Sequence, residues 1–371
     1  MRILFAVSDH GFGHATRTVA LLREALGQRP DLTAIALSGP IAASLLSRSF
    51  RREPRVTVLV RRSDPGLLLV PGSLRVDRFA TEAAWQDWTA SWPAWVEELA
   101  LEVGSAGGCD VVLSDATPPA FLLAEKLARP GALIGNFAWT DLLPGLLSEE
   151  LLATVRAAHR PACATFAYPF RMGFDAAPPP VELPLVARRP TRSRAEIRLL
   201  LGADPDVPLI YLSSGQSASP RDLWTIARDR RARLLVPWNA PEIPTGPGEE
   251  EALRIPMDDP EGQDFLAAAD LVVGKIGYGT LSEALACGVP MVMMLVAGTP
   301  ETAPLQAGMT EAGAGESLPA GTSPAGAIAR WLGRGGGTAR PWRAERTREA
   351  ARQLLGALDV LVAPACRPDV N

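Results

Sequence analysis

The chain has 371 residues, 47% hydrophobic and 21% charged, with a formal net charge of −4 and a pI near 5.6. That length exceeds one ordinary core and fits two domains, and the composition is that of a soluble globular enzyme. The acidic balance excludes the basic footprint of a nucleic-acid binder, and no apolar run is long enough to span a bilayer.

The start, MRILFAVSDHG, enters a strand at once and lacks the basic opening and apolar helix of a signal peptide. Cys109, Cys163, Cys287 and Cys366 stand without CxxC pairing, which suggests neither a zinc site nor a disulfide framework. A cytoplasmic protein with reduced thiols is expected.

Ile3 to Val7 form the first buried strand, followed by a loop from Ser8 to Arg17 and a helix through Ala25 or Leu26. Gly11 and Gly13 match the first two positions of a dinucleotide fingerprint, but Thr16 stands at the third. The next strand, Thr33 to Leu37, ends in Ser38-Gly39-Pro40 with no acidic residue for a ribose, so a nicotinamide or flavin cofactor is not expected. His10 and His14 are two of only three histidines. A neutral imidazole in such a loop is suited to act as a general base; the alternative is that both rings only hold the loop through backbone hydrogen bonds.

Turn residues punctuate the segment from Val56 to Asp87, and a helix follows from about Asp77 to Val103. Trp85, Trp88, Trp92 and Trp95 share one of its faces, which serves either a core or a platform for sugar rings or a membrane interface. The strand Asp110 to Asp115 ends in a carboxylate, which either orients His14 in a relay or caps the helix Ala120 to Leu127. A strand Ala132 to Ile134 runs into Gly135-Asn136-Phe137-Ala138-Trp139-Thr140-Asp141. Ala164 to Tyr168 read as the last strand of the first domain, and the proline-dense Ala176 to Leu185 as the interdomain connection.

The second half opens with the strand Leu209 to Leu212 and the loop Ser213-Ser214-Gly215-Gln216-Ser217. Asp204-Pro205-Asp206 just before it matches a metal-binding D-x-D formally, but its proline makes it a turn. Leu234 to Pro237 and Ile255 to Met257 read as strands. Leu271 to Val273 then run into Gly274-Lys275-Ile276-Gly277-Tyr278-Gly279, with Thr280 as N-cap of a helix and Glu283 at capping-box spacing. Gly288-Val289-Pro290 stops that helix, and Met291 to Val296 supply another strand. The resulting βαβ unit places free N–H groups and a helix dipole where a phosphate binds, unless the glycines make only a tight turn and Glu283 only caps. An amphipathic, Arg-rich helix runs from Arg340 to Leu361.

HGFGHATR, NFAW, PLVARR and GKIGYGTLSEA, in that order, resemble the nucleotide-sugar glycosyltransferases of the GT-B class. They are similar to the glycosyltransferase-like region that precedes the kinase domain in plant-type L-arabinokinases and, more distantly, to the peptidoglycan N-acetylglucosaminyltransferase. The resemblance implies an α/β GT-B fold with two Rossmann-like domains facing a central cleft. Residues 1–189 would form the acceptor domain with its linker, 190–344 the donor domain, and 345–371 a helix crossing back to the first domain.

The resemblance assigns catalysis to His14 with Asp115. It assigns donor binding to Ser214, Gly215, Gln216, Ile255, Met257, Lys275, Gly277, Tyr278, Gly279, Thr280, Glu283 and Glu301, with Thr280 near the diphosphate and Glu283 on the ribose. His10, Gly11, Phe12, Gly13, Asn136, Trp139 and Asp141 would line the cleft. The reaction implied is an inverting, metal-independent transfer of a hexosyl or N-acetylhexosaminyl group from a nucleotide-diphosphate sugar, a UDP-sugar first among them, without a cofactor. The acceptor would be a lipid-linked molecule or a natural product, the former with the protein peripheral to a membrane. Leu295-Val296-Ala297-Gly298 replaces the basic and aromatic run of the arabinokinase-like regions, so the sugar is not carried over. A hydrolase or epimerase of the same fold, and a non-catalytic nucleotide-sugar-binding module, are the alternatives.

Overall fold

Short β-branched apolar runs alternate along the chain with helix-length segments, the order that gives parallel sheets covered by helices. A computed structural model describes residues 1–70, 75–175, 177–213, 220–238, 240, 242–243, 251–295, 299–319, 321–334 and 345–363. Contacts divide the chain into two compact units, one of Met1–Leu68, Val76–Val186 and Glu345–Asn371, the other of Leu69–Arg75 and Ala187–Ala344.

The first unit runs β1 (Arg2–Val7), α1 (Phe12–Gln28), β2 (Thr33–Ser38), α2 (Pro40–Phe50), β3 (Val56–Val60), α3 (Arg78–Ser105), β4 (Val111–Asp115), α4 (Pro119–Lys126), β5 (Gly131–Gly135), α5 (Trp139–Leu142), α6 (Glu149–His159), β6 (Ala162–Ala167) and β7 (Pro180–Glu182). Its parallel sheet has the order β3-β2-β1-β4-β5-β6-β7. The order reverses between β1 and β4, where Val7 stands beside Asp115. Ligands of open α/β sheets bind at the carboxyl ends of strands at such a reversal. The proline-dense connection thus also supplies an edge strand, β7, with Pro180 at its first residue, a position where a missing N–H is tolerated.

All four tryptophans of α3 are buried, and they join β1, β2, β4 and the turn around Trp139 in one core cluster. The indoles of Trp85 and Trp95 donate to the carbonyls of Gly66 and Arg62 at 3.0 and 2.7 Å. This face serves the core and offers no platform to a sugar or a membrane.

The second unit runs α7 (Arg194–Leu200), β8 (Leu209–Ser213), α8 (Pro220–Asp229), β9 (Arg233–Val236), β10 (Leu253–Arg254), α9 (Gly262–Ala267), β11 (Leu271–Lys275), α10 (Tyr278–Cys287), β12 (Met291–Met294), α11 (Thr302–Glu311), β13 (Gly315–Leu318) and α12 (Ala325–Leu332). Its sheet order, β10-β9-β8-β11-β12-β13, reverses between β8 and β11. The strand expected at Ile255 to Met257 lies earlier, at Leu253–Arg254, because Pro256 cannot donate to the ladder. The N-cap of α10 is Gly277 rather than Thr280, so the helix starts earlier and Thr280 lies within its first turn. Gly288 ends α10 with φ of 69°, as a glycine after a helix does.

The last helix, α13 (Glu345–Val362), returns to the first unit and packs on α1. Gln28 donates to the Arg348 carbonyl at 2.9 Å, and Arg29 Nη1 meets Asp359 at 2.6 Å.

Candidate functional site

In the first unit the loop after β1 turns at Gly11, whose φ of 78° favours a residue without a side chain, and α1 starts at Phe12. His14 and Arg17 are one turn apart on α1 and both face the end of β4. His14 Nδ1 lies 2.9 Å from Asp115 Oδ1 and 2.7 Å from Arg17 Nη2. Arg17 Nε donates to Asp115 Oδ2 at 2.6 Å, its Nη2 also donates to Oδ1, and its Nη1 donates to Asn136 Oδ1. The Tyr168 ring covers the guanidinium carbon at 5.3 Å. Burial alone would raise the Asp115 carboxyl, but its neighbours, the Arg17 guanidinium first, outweigh it and hold it below the usual carboxylate range. Asp115 does not cap α4, which has Pro118 at its N-cap and no side-chain cap; its oxygens take up Arg17, with His14 Nδ1 alongside.

Gly135 lies against this centre: a Cβ there would sit 3.3 Å from the Phe137 carbonyl and in ordinary contact with Asp115 Oδ1 and Arg17 Nη2 at 3.5 and 3.6 Å. Phe137 meets the His14 ring edge-on at 5.5 Å, and Trp139 stands 5.4 Å from Phe137 and 5.5 Å from His10. His10 Nδ1 accepts from the Leu67 N–H at 3.4 Å. Asp141 accepts from the Ala138 and Asp175 N–H groups at 2.8 and 3.3 Å, so it shapes the turn at α5. His14, Asp115 and Asn136 are thus gathered at one point. His10 and Trp139 flank it, and Phe12 and Gly13 open α1 beside it.

In the second unit the reversal brings the ends of β8 and β11 together. Gly274 stands opposite Ser213, and a Cβ on it would come within 2.6 Å of the Ser213 carbonyl, so only glycine allows this approach. Beyond it lie Lys275, half-buried, and Gly277, Tyr278, Gly279 and Thr280 at the start of α10, which has no side-chain cap. The Thr280 and Ser213 hydroxyls are 2.7 Å apart. Glu283, one turn on, is 5% exposed and bound by Arg188, with Nε on Oε1 at 2.6 Å and Nη2 on Oε2 at 3.2 Å. Glu301 immediately precedes α11; Ile255 is buried, with its N–H on the Val236 carbonyl at 3.0 Å; Met257 is exposed. Ser214, Gly215 and Gln216, like 296–298, lie outside the described residues. Asp206 N–H donates to Asp204 Oδ1 at 2.8 Å, the local bond of a turn, and among the described residues no group of three or more His, Cys, Asp or Glu is arranged to hold a metal ion.

Two arginines were absent from the expected site. Arg17 was legible only as the last letter of HGFGHATR; its spacing from His14 puts both on one helical face, a signal that does not name a partner. Arg188, in PLVARR, carried no local signal, since its partner is far along the chain. Among the described residues no helix is long and apolar enough to cross a membrane.

No protein-family model matches the chain. An L-arabinokinase of Arabidopsis thaliana is 28% identical over 309 residues, which cover 78% of this chain and 28% of that protein, so the chain spans little more than a quarter of its relative's length. Among solved structures, the glycosyltransferase SnogD of Streptomyces nogalater superposes with a TM-score of 0.58 at 19% identity, covering 97% of this chain and 95% of that one. A UDP-glucosyltransferase of Polygonum tinctorium that glucosylates indoxyl gives 0.60 at 14% identity, with 98% and 95% covered. A spinosyn rhamnosyltransferase complexed with thymidine diphosphate gives 0.55 at 17%, with 98% of each chain covered. The two parallel sheets, each reversing beside a glycine loop and a helix start, are those of the GT-B glycosyltransferase fold, and the chain carries it together with a distant similarity to the plant L-arabinokinase over most of its length.

Proposed function

We propose that the chain is a glycosyltransferase that moves a hexosyl or N-acetylhexosaminyl group from a nucleotide diphosphate to an acceptor hydroxyl, with inversion and without a metal. The observation that carries this reading is the uncapped start of α10 beside the paired hydroxyls of Ser213 and Thr280, at the reversal of the second sheet. Backbone N–H groups and the helix dipole there suit a diphosphate, and they supply the charge stabilisation a departing diphosphate needs, with Lys275 adding to it. Ile255 and Met257 are assigned to the base, Glu283 to the ribose and Glu301 to the sugar. His14 is assigned to the acceptor oxygen through Nε2, because its contacts with Asp115 and Arg17 both use Nδ1. Residues 1–189 and 190–344 are accordingly assigned to acceptor and donor.

Thermal unfolding of the purified chain with UDP, GDP, dTDP and ADP tests this. A ligand at a hundred times its Kd adds about 2.7 kcal/mol, a shift of several degrees. One nucleotide is expected to stand out, with the shift reduced in Thr280→Val. If none shifts the transition, the glycine loops are architectural and the donor reading falls. Release of the same nucleotide from its sugar, dependent on an added acceptor, then separates transfer from hydrolysis and from binding alone.

A further inference from the structure

His14 Nδ1 has two neighbours that make incompatible demands on it. Asp115 Oδ1, 2.9 Å away, is an acceptor and calls for a proton on Nδ1; Arg17 Nη2, 2.7 Å away, is a donor and calls for a bare one. Two nitrogens at 2.7 Å hold a proton between them, and a guanidinium has no lone pair with which to accept one. The shared proton is therefore Arg17's.

Asp115 does not need His14. Arg17 Nε and Nη2 each donate to one of its oxygens, so the carboxylate is engaged by a two-point, charge-assisted fork before the imidazole is counted. The guanidinium is also fixed from its other sides, by Asn136 Oδ1 on Nη1 and by the Tyr168 ring over its face, and Arg17 is 2% exposed. An imidazole that accepts at Nδ1 carries its proton on Nε2.

We propose that Arg17 is a positioning residue that holds neutral His14 as the Nε2–H tautomer, with Asp115 orienting Arg17 rather than the imidazole. A His–Asp relay would require the opposite tautomer. The catalytic consequence rests on the transferase reading above: the Nε2–H of His14 suits an acceptor hydroxyl that arrives already ionised, such as a phenolate. An aliphatic alcohol would be deprotonated at Nε2 only once the ring proton has moved from Nε2 to Nδ1, which requires Arg17 to release Nδ1. The tautomer itself does not rest on that reading.

Long-range proton–nitrogen correlation spectra of the full chain, labelled at histidine and recorded at about pH 8.5, two units above the ordinary imidazole pKa, read the tautomer directly. The three histidines give three ring systems, and His14→Gln identifies one of them. His159 is an internal standard for the other tautomer, because its Nδ1 faces the Val155 carbonyl at 2.9 Å and has to be a donor. The expected result is a bare Nδ1 and a protonated Nε2 for His14, with the two nitrogen shifts exchanged in Arg17→Met. An Nδ1–H ring in the unaltered chain, or a ring still doubly protonated at that pH, overturns the proposal. If Arg17→Met does not fold, the unaltered spectrum decides alone. A chain that binds no nucleotide yet shows the Nε2–H ring loses the transferase reading and keeps this one; an active transferase with an Nδ1–H ring does the reverse.

Discussion

Arg188 and Glu283 form a two-point fork with both side chains nearly out of reach of solvent, and Arg188 Nη1 also donates to the Pro260 carbonyl at 2.7 Å. Burial works against the Arg188 charge, but Glu283 more than compensates and raises its pKa. Each charge is tolerated because the other is present. In the proposed donor role, a ribose at Glu283 would meet a carboxylate already shared with a cation.

Removing one partner should cost far more than removing both. Arg188→Met leaves a buried, unpaired carboxylate and is expected to lose about 3–5 kcal/mol, as is Glu283→Leu, which strands the guanidinium. The double variant should lose clearly less than the sum. Urea unfolding of the three proteins closes the cycle, and additive losses would mean that the fork is not the interaction at stake.

Gly274 is predicted to resist even one methyl group. Its added Cβ would lie 2.6 Å from the Ser213 carbonyl and 2.8 Å from the Ser213 Cβ, so β8 and β11 would have to separate. Gly274→Ala should destabilise the chain by about 1–3 kcal/mol, the usual range for overpacking. A melting temperature equal to that of the unaltered chain would contradict this approach of the two strands.

His159 and Asp64 should give stability opposite dependences on pH. Burial pushes the His159 imidazole down to about 4, so the unfolded chain takes up its proton first as the pH falls below about 6.5. Its stability contribution is complete above that value and falls by about 3 kcal/mol through pH 4. Burial pushes the Asp64 carboxyl up to about 7, so its contribution is complete near pH 4 and is lost as the pH rises toward 7. Chemical unfolding at intervals between pH 4.5 and 7.5 checks both signs. Relative to the unaltered chain, His159→Phe should gain stability toward acid and Asp64→Asn should lose it.

The tryptophan face of α3 should behave as core. Trp88 is 1% exposed and packs edge-on against Trp95 at 5.9 Å, so Trp88→Ala is expected to cost about 3–5 kcal/mol. Phe79, on the same helix but 82% exposed, is the control, and Phe79→Ser should stay within about 0.5 kcal/mol. Equal losses at the two positions would contradict this division of the helix.

What the amino-acid order determined by itself is what neighbours in the chain can encode. The strand, glycine loop and helix from Ile3 to His14, the same unit from Leu271 to Glu283, the stop at Gly288 and the tryptophan spacing of α3 all follow from hydrophobic period and local backbone chemistry. Boundaries were softer where two local signals competed: Thr280 is a good N-cap by type, yet Gly277 takes the cap and the helix starts before it.

Tertiary structure alone decided the partners. Arg17 and Asp115 are 98 residues apart and Arg188 and Glu283 are 95 apart, and no periodicity links either pair. Asp115 was equally fit by sequence to orient His14 or to cap α4; the parallel register that sets Val7 beside it puts its oxygens on Arg17, with His14 alongside, and α4 has no side-chain cap. The tryptophan face was open between core and platform until β1, β2 and β4 were seen to cover it. A local pattern says which side chains share a face, but what that face meets depends on the register of strands distant in sequence, and that is settled only when the sheet is assembled.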